Sequence, residues 1–340
     1  MFKEVPVLKF IALTRIVRLL WSSYDIQNLV SECFLEGYQT QGKWNRIEES
    51  LKLKICNCLI VPHELQMVMS SLVKPIGGCI KNFIDDIYSK YYLPSNFMGI
   101  FSWTFLGIID AKKTAKAVIK DVNLLITERY EIACTYCLQD EIPILWSKLP
   151  ETSKYDYLHD IRYIPTLPYF PVYWAYYMTA QLYVLDEKVR EEHSVPITCH
   201  YFGVLQARKI VNQVAVEYFI QKLSIQEKEE YLRVFFSSLE FPLVMENYSP
   251  SNSYVCDVIY SLLKQMTENK RMSIFEENAY HILKNFLEFP YGGMFLEIES
   301  VVQKFLTHDQ RKALYRRYKE TIRYFVFRTV GSNSRKRKLT

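Results

Sequence analysis

Between Asp110 and Trp146 the chain reads DAKKTAKAVIKDVNLLITERYEIACTYCLQDEIPILW, three successive runs with helical apolar spacing, each too short to be stable by itself. Helices of that length persist only where neighbours cover their apolar sides, so the segment dictates a packed helical array. Ala111, Ala115, Val118 and Ile119 follow the i, i+4, i+7, i+8 rule and mark the face of a first helix. The second is expected from Leu125 to Leu138, with Tyr130, Ala133, Cys134 and Cys137 on one side and Glu128, Glu131 and Thr135 mostly off it. Asp140 reads as the N-cap of the third, with Glu141 and Pro143 in its first turn and Ile142, Leu145 and Trp146 turned inward.

DAKKTAKAVIKD followed by RYEIACTYCLQDEIPILW also resembles a motif of an uncharacterised, multicopy arthropod protein family. The resemblance covers the Asp110 to Trp146 segment, implies a helical fold, and carries no activity or catalytic residue onto this chain. A looser similarity to the helices of ankyrin repeats rests on Ala133, Cys134, Glu141 and Ile142. The Thr-Pro-Leu-His turn of those repeats is absent, so the similarity is one of packing chemistry.

At 340 residues, with 49% hydrophobic and 23% charged side chains, the chain has the composition of a globular protein with a large core. Only 10 glycines, few Val-Thr alternations and abundant Lys, Glu, Leu and Ile at helical spacing predict an all-α fold. The 26 tyrosines suit helix faces on which the ring packs and the hydroxyl stays wet; a base-stacking surface is the functional alternative. The N-terminal stretch MFKEVPVLKFIALTRIVRLLW is apolar, but Lys9, Arg15 and Arg18 interrupt it, so it reads as a helix rather than a signal peptide. The run from Phe170 to Leu185 contains Thr179 and Gln181 and falls short of a membrane span, which predicts a buried, aromatic-rich helix and no transmembrane segment.

Eight scattered cysteines favour a reducing compartment, hence an intracellular protein of the cytoplasm or nucleus. Cys134 and Cys137 form a C-x-x-C pair placed mid-helix, where buried thiols are the ordinary reading; a zinc site would need Cys199 and His200 to meet them. No metal or cofactor is therefore expected.

Elsewhere, Leu51, Leu53, Ile55 and Leu59 predict a helix stopped by Pro62, and His63 to Leu72 another that ends at a turn around Pro75, Gly77 and Gly78. Those glycines lack the Gly-Lys-Ser or Gly-Lys-Thr of a phosphate loop. Pro150, Pro165, Pro168 and Pro171 make residues 149–171 a joint between an N-terminal helical half, 1–148, and a C-terminal half, 172–330, with 331–340 as a basic tail. In the second half, one long amphipathic helix is expected through Val204, Leu205, Ile210, Val211, Val214, Tyr218 and Phe219. Another is expected through Val255, Val258, Ile259, Leu262, Leu263 and Met266. Capping-box signatures mark three helix starts, at Ser224 with Glu227, Ser273 with Glu276, and Thr307 with Gln310. Their uneven spacing fits an irregular, α-solenoid-like stack of helix hairpins better than a strict repeat.

The charge is polarised. From Thr307 onward eleven Lys and Arg face only Asp309 and Glu320, leaving the preceding residues net acidic although the whole chain carries +5. On the last helix Lys312, Arg316, Lys319 and Arg323 form one stripe and Leu314, Tyr318, Ile322 and Phe325 a nearly opposite one. A basic stripe is ordinarily the solvated outer face of a terminal helix; its functional reading is a contact to phosphates, anionic lipid or an acidic protein. Arg335, Lys336, Arg337 and Lys338 form a compact cluster of the nuclear-import type.

His63, His159, His193, His200, His281 and His308 are dispersed, Glu277 and His281 are a single i, i+4 pair, and Asp85 and Asp86 diverge on a helix, so no catalytic constellation is visible locally. The sequence thus predicts an all-α interaction scaffold for a protein partner. A nucleic-acid-associated nuclear protein is the alternative, and an enzyme whose site assembles only in the fold is the third.

Overall fold

The structure, a computed structural model, describes residues 8–35, 40–88, 92–159, 169–193, 197–240 and 252–325. Helix is the only extended secondary structure among them; an isolated bridge between Trp103 and Ile109 is not continued into a strand. The all-α expectation is met, as a stack of helix hairpins.

Helices α1 (Leu8–Trp21) and α2 (Tyr24–Leu35) lead into a long hairpin of α3 (Thr40–Cys56) and α4 (His63–Ile87). After the single turn α5 (Phe97–Ile100) come the three short helices read from the sequence, α6 (Ala111–Val118), α7 (Ile126–Thr135) and α8 (Ile142–Lys148). Next follow α9 (Glu151–His159), α10 (Tyr169–Met178), α11 (Leu182–His193), α12 (Cys199–Lys209) and α13 (Gln213–Ile220). The described chain ends with α14 (Ile225–Ser237), α15 (Asn252–Gln265), α16 (Glu268–Asn285), α17 (Phe295–Val302) and α18 (His308–Phe325).

The central element is α4, where the expected turn at Pro75 does not occur. Pro75, Gly77 and Gly78 lie inside a continuous 25-residue helix. Proline removes one intrahelical hydrogen bond and glycine lowers helix propensity, yet burial outweighs both. Val73, Ile76, Ile80 and Phe83 are buried, and the Trp21 indole of α1 donates to the Val73 carbonyl at 3.2 Å. Gly77 is needed for that approach, because a Cβ there would overlap the Trp21 ring. Trp21 in turn stacks on Trp44 of α3, with ring centroids 5.3 Å apart.

The short-helix segment packs as its spacing requires. Ala115, Val118, Tyr130, Ala133, Cys134 and Ile142 are buried, and Asp110 caps α6 by accepting from the Lys113 N–H. Two local readings are corrected. The N-cap of α8 is Glu141, not Asp140, and Cys137 lies beyond the end of α7, with φ +49°. There the Leu138 N–H reaches the Ala133 carbonyl at 2.9 Å, closing a left-handed helix end. The same device splits two elements expected to be continuous. Ala180 (φ +56°) separates α10 from α11, and Val211 (φ +54°) separates α12 from α13, with Gln181 N–H to Tyr176 O and Asn212 N–H to Ala207 O both at 2.8 Å. Apolar periodicity runs through both breaks, which is why spacing alone did not reveal them. Asn212 also donates across the molecule to the free carbonyl of Thr135 at 2.8 Å, tying the two left-handed ends together.

Helix starts at Ser224 and Thr307 carry reciprocal capping boxes. Ser273 does not start a helix; it sits within α16, whose N-cap is Thr267. The interval 149–171 contains α9 and the first residues of α10, and packing crosses it, as the Asn212 bond to Thr135 does; the Tyr130 hydroxyl of α7 also donates into it, to the Pro171 carbonyl of α10 at 3.2 Å. The stack also returns on itself, since α18 packs on both α16 and α4, and the rings of Phe10 and Phe289 lie 6.2 Å apart. Tyr169, Tyr173 and Tyr176 of α10 are buried, so much of the tyrosine content of this region is packing.

Candidate functional site

The last helix sorts its cations by environment. Its inward side is fixed by Leu314, which is fully packed, and by Tyr318, whose ring stacks on Phe295 at 4.7 Å. Arg311 and Arg317 are engaged by Glu299 (3.5 Å) and Glu288 (3.4 Å). Lys312, Arg316 and Lys319 are exposed on the outward side and make no ion pair among the described residues. The predicted basic stripe is thus present for these three; the side chain of Arg323 lies outside the described residues, as does the cluster Arg335, Lys336, Arg337 and Lys338. Asp309, one turn before Lys312, is the exposed acid at the start of the same face.

Two buried polar groupings form only in the fold. At the start of α12, the Cys199 backbone N–H donates to Asp186 at 2.6 Å, its carbonyl accepts from the Tyr169 hydroxyl at 2.5 Å, and Thr198 donates to Glu227 at 2.7 Å. A cysteine, a histidine and two acids are thereby gathered within a few residues of a helix N-terminus, a composition that elsewhere supports nucleophilic catalysis. The electrostatics here oppose it. Burial, followed by the hydrogen bond and charge of Asp186, pushes the Cys199 thiol up, and burial lowers the affinity of His200 for a proton. The thiol is held in its unreactive protonated form. Cys134 and Cys137 are likewise buried and raised by burial, and no grouping of His, Cys, Asp and Glu among the described residues has metal-site geometry.

The second grouping is Asp257 of α15, which is buried and accepts from the Tyr291 hydroxyl at 2.7 Å. Burial lifts its carboxyl to about 7, the Tyr291 hydrogen bond opposing the rise. Burial, with a smaller contribution from the Asp257 charge, raises the Cys79 thiol of α4 to about 12. Asp85 and Asp86 remain on α4; burial and the Asp85 charge lift Asp86 to about 6.

A third feature escaped sequence reasoning. Of the stripe Leu51, Leu53, Ile55 and Leu59, only Leu51 and Ile55 are buried. Leu53 is 62% exposed, Leu59 97% and Ile60 93%, the last two at the tip of the α3–α4 hairpin, where α4 adds the exposed Met67. The tip is ordered by its own hydrogen bonds: Val61 N–H to Cys58 O at 3.1 Å closes a turn. The buried Gln66 amide donates to Cys58 O and Val61 O at 2.8 and 2.9 Å. Leu59 and Ile60 occupy the two central positions of that turn, so their side chains point away from the fold. The available signal was the run Leu59-Ile60-Val61 before Pro62, which fits no helix period.

Among the described residues no helix is long and apolar enough to cross a membrane. No protein-family model matches the chain, and no curated protein matches it.

Proposed function

We propose that the protein is an intracellular interaction scaffold that uses the α3–α4 hairpin tip as an apolar anchor for a protein partner. The observation that carries this reading is the exposure of Leu59 and Ile60 on a turn fastened by Gln66. Two large aliphatic side chains in water are individually ordinary, but adjacent ones on a hydrogen-bonded turn are pre-organised for insertion into a partner's pocket. Burying both on docking contributes about 3–6 kcal/mol, the scale of an interface hot spot. The Cys199 thiol, gathered with His200 and two acids, is held protonated, which argues against its use as a nucleophile. Eight cysteines, six of them buried, agree with a reducing compartment.

The test compares the intact chain with a Leu59→Glu/Ile60→Glu variant in cross-linked cell extracts, alongside urea unfolding of both. Partners recovered with the parent and lost with the variant, at an unchanged unfolding midpoint, are the expected result. An identical set of partners for both proteins refutes the anchor.

A further inference from the structure

We propose that the outward face of α18 is a binding surface for the phosphate backbone of a nucleic acid, with Lys312, Arg316 and Lys319 as the contacting cations. All three are exposed on one face and unpaired among the described residues, while their neighbours Arg311 and Arg317 are taken up by Glu299 and Glu288. Spacings of four and three residues place the three charges over about 10 Å of helix, at 1.5 Å rise per residue. One strand of a duplex presents about three phosphate steps in that length. The helix is held in place from behind by buried Leu314 and by the Tyr318–Phe295 stack, so the cations project from a fixed support.

Two other anionic partners fit less well. A bilayer surface is bound by helices that turn an apolar face to the lipid. Here the apolar face of α18 is turned into the fold, and apart from Ala313 its exposed residues among those described are charged or polar. An acidic protein would need an anchor beside the charges, since interface affinity concentrates in buried aromatic or aliphatic contacts. The outward face of α18 offers none. A polyphosphate backbone needs neither; it supplies charge at regular intervals along a line. Asp309 at the beginning of the face sets where the contact stops.

The experiment is fluorescence anisotropy of a labelled 20-base-pair DNA duplex with the full chain, titrated at a series of KCl concentrations from 25 to 200 mM. Each phosphate contact contributes about 0.9 to the slope of log K against log salt. The three cations therefore account for a slope of about −2.7, or roughly a 40-fold loss of affinity between 50 and 200 mM salt. The variant Lys312→Gln/Arg316→Gln/Lys319→Gln is expected to lose that part of the slope, while Lys312→Arg/Lys319→Arg keeps it. A parent that does not bind at 25 mM salt overturns the proposal. So does a Gln variant that binds like the parent, which would assign the affinity to other cations such as those of Arg335 to Lys338. Equal or tighter binding to phosphatidylserine vesicles or to poly-glutamate at matched charge overturns it in favour of a lipid or protein partner. Leu59 and Ile60 are untouched by these variants, so the hairpin anchor and the α18 face succeed or fail separately.

Discussion

Replacing Asp257 by Asn should stabilise the protein above neutral pH and remove a pH dependence that the parent shows below it. Little around Asp257 favours its charge: the Tyr291 hydroxyl, its hydrogen-bond donor, only partly offsets burial, and the Cys79 and Cys256 thiols beside it are neutral. The carboxyl moves from an ordinary value of 3.8 to about 7 in the fold, chiefly through burial. Because the folded value lies above the unfolded one, the native state binds the extra proton between these limits, and stability falls as pH rises through the window. The contribution is complete below about pH 4 and gone above about pH 7. A shift of this size corresponds to about 4 kcal/mol at 1.36 kcal/mol per unit, which is an upper limit. Asn keeps an acceptor for Tyr291 but brings an amide N–H pair into the same buried space, at a cost of about 1–3 kcal/mol if either is left without a partner. The net expectation for Asp257→Asn at pH 8 is a gain of about 1–3 kcal/mol. Urea unfolding of both proteins every half unit from pH 4 to pH 8 gives the difference curve directly. Asp86 and the other raised acids appear in both proteins and cancel. A flat difference across that range, or a variant weaker than the parent at pH 8, would refute the argument that a buried, singly bonded carboxylate is being tolerated.

Two further outcomes follow from exposure and backbone geometry. Iodoacetamide at pH 8 should label the exposed Cys56 in the native chain and leave Cys134, Cys137 and Cys199 unmodified until urea is added; peptide mass spectrometry reads both states, and native labelling of Cys199 would contradict its protected environment. Ala180→Gly should raise the urea midpoint by the equivalent of about 1 kcal/mol, because Ala180 is exposed and holds φ +56°, a conformation glycine adopts without Cβ strain. An unchanged or lower midpoint would mean that the left-handed end is not strained.

Where the sequence could be read correctly, the deciding interactions are local. Asp110 with Lys113, Ser224 with Glu227 and Thr307 with Gln310 form their caps within four residues, and the faces of α6 and α7 follow from spacing alone. The errors have a common physical origin in contacts made at long range. Pro75 and Gly77 look like a turn until Trp21, more than fifty residues earlier, takes the space that Gly77 leaves. Val211 breaks an apolar run, and Asn212 after it binds Thr135, seventy-seven residues away. The pattern Ser273 to Glu276 is a capping box only at a helix start, and Thr267 had already supplied that start for α16. The site shows the same division. The α18 stripe was visible because it depends on 3.6-residue periodicity, whereas the hairpin tip depends on Gln66, whose role emerges only when α4 is set beside the turn.

The return of α18 onto α4 has a bearing on synthesis. Helix α4 leaves the ribosome long before α18 does, with more than two hundred residues still to be made. At about 5–20 residues per second, α4 waits roughly 10–45 s for the helix that completes its surroundings. During that interval part of an apolar surface meant for α18 faces water, next to a hairpin tip that stays exposed even in the finished fold. The nascent chain is therefore at its most adhesive in mid-translation, and its yield should depend more on chaperone supply than on the stability of the completed protein.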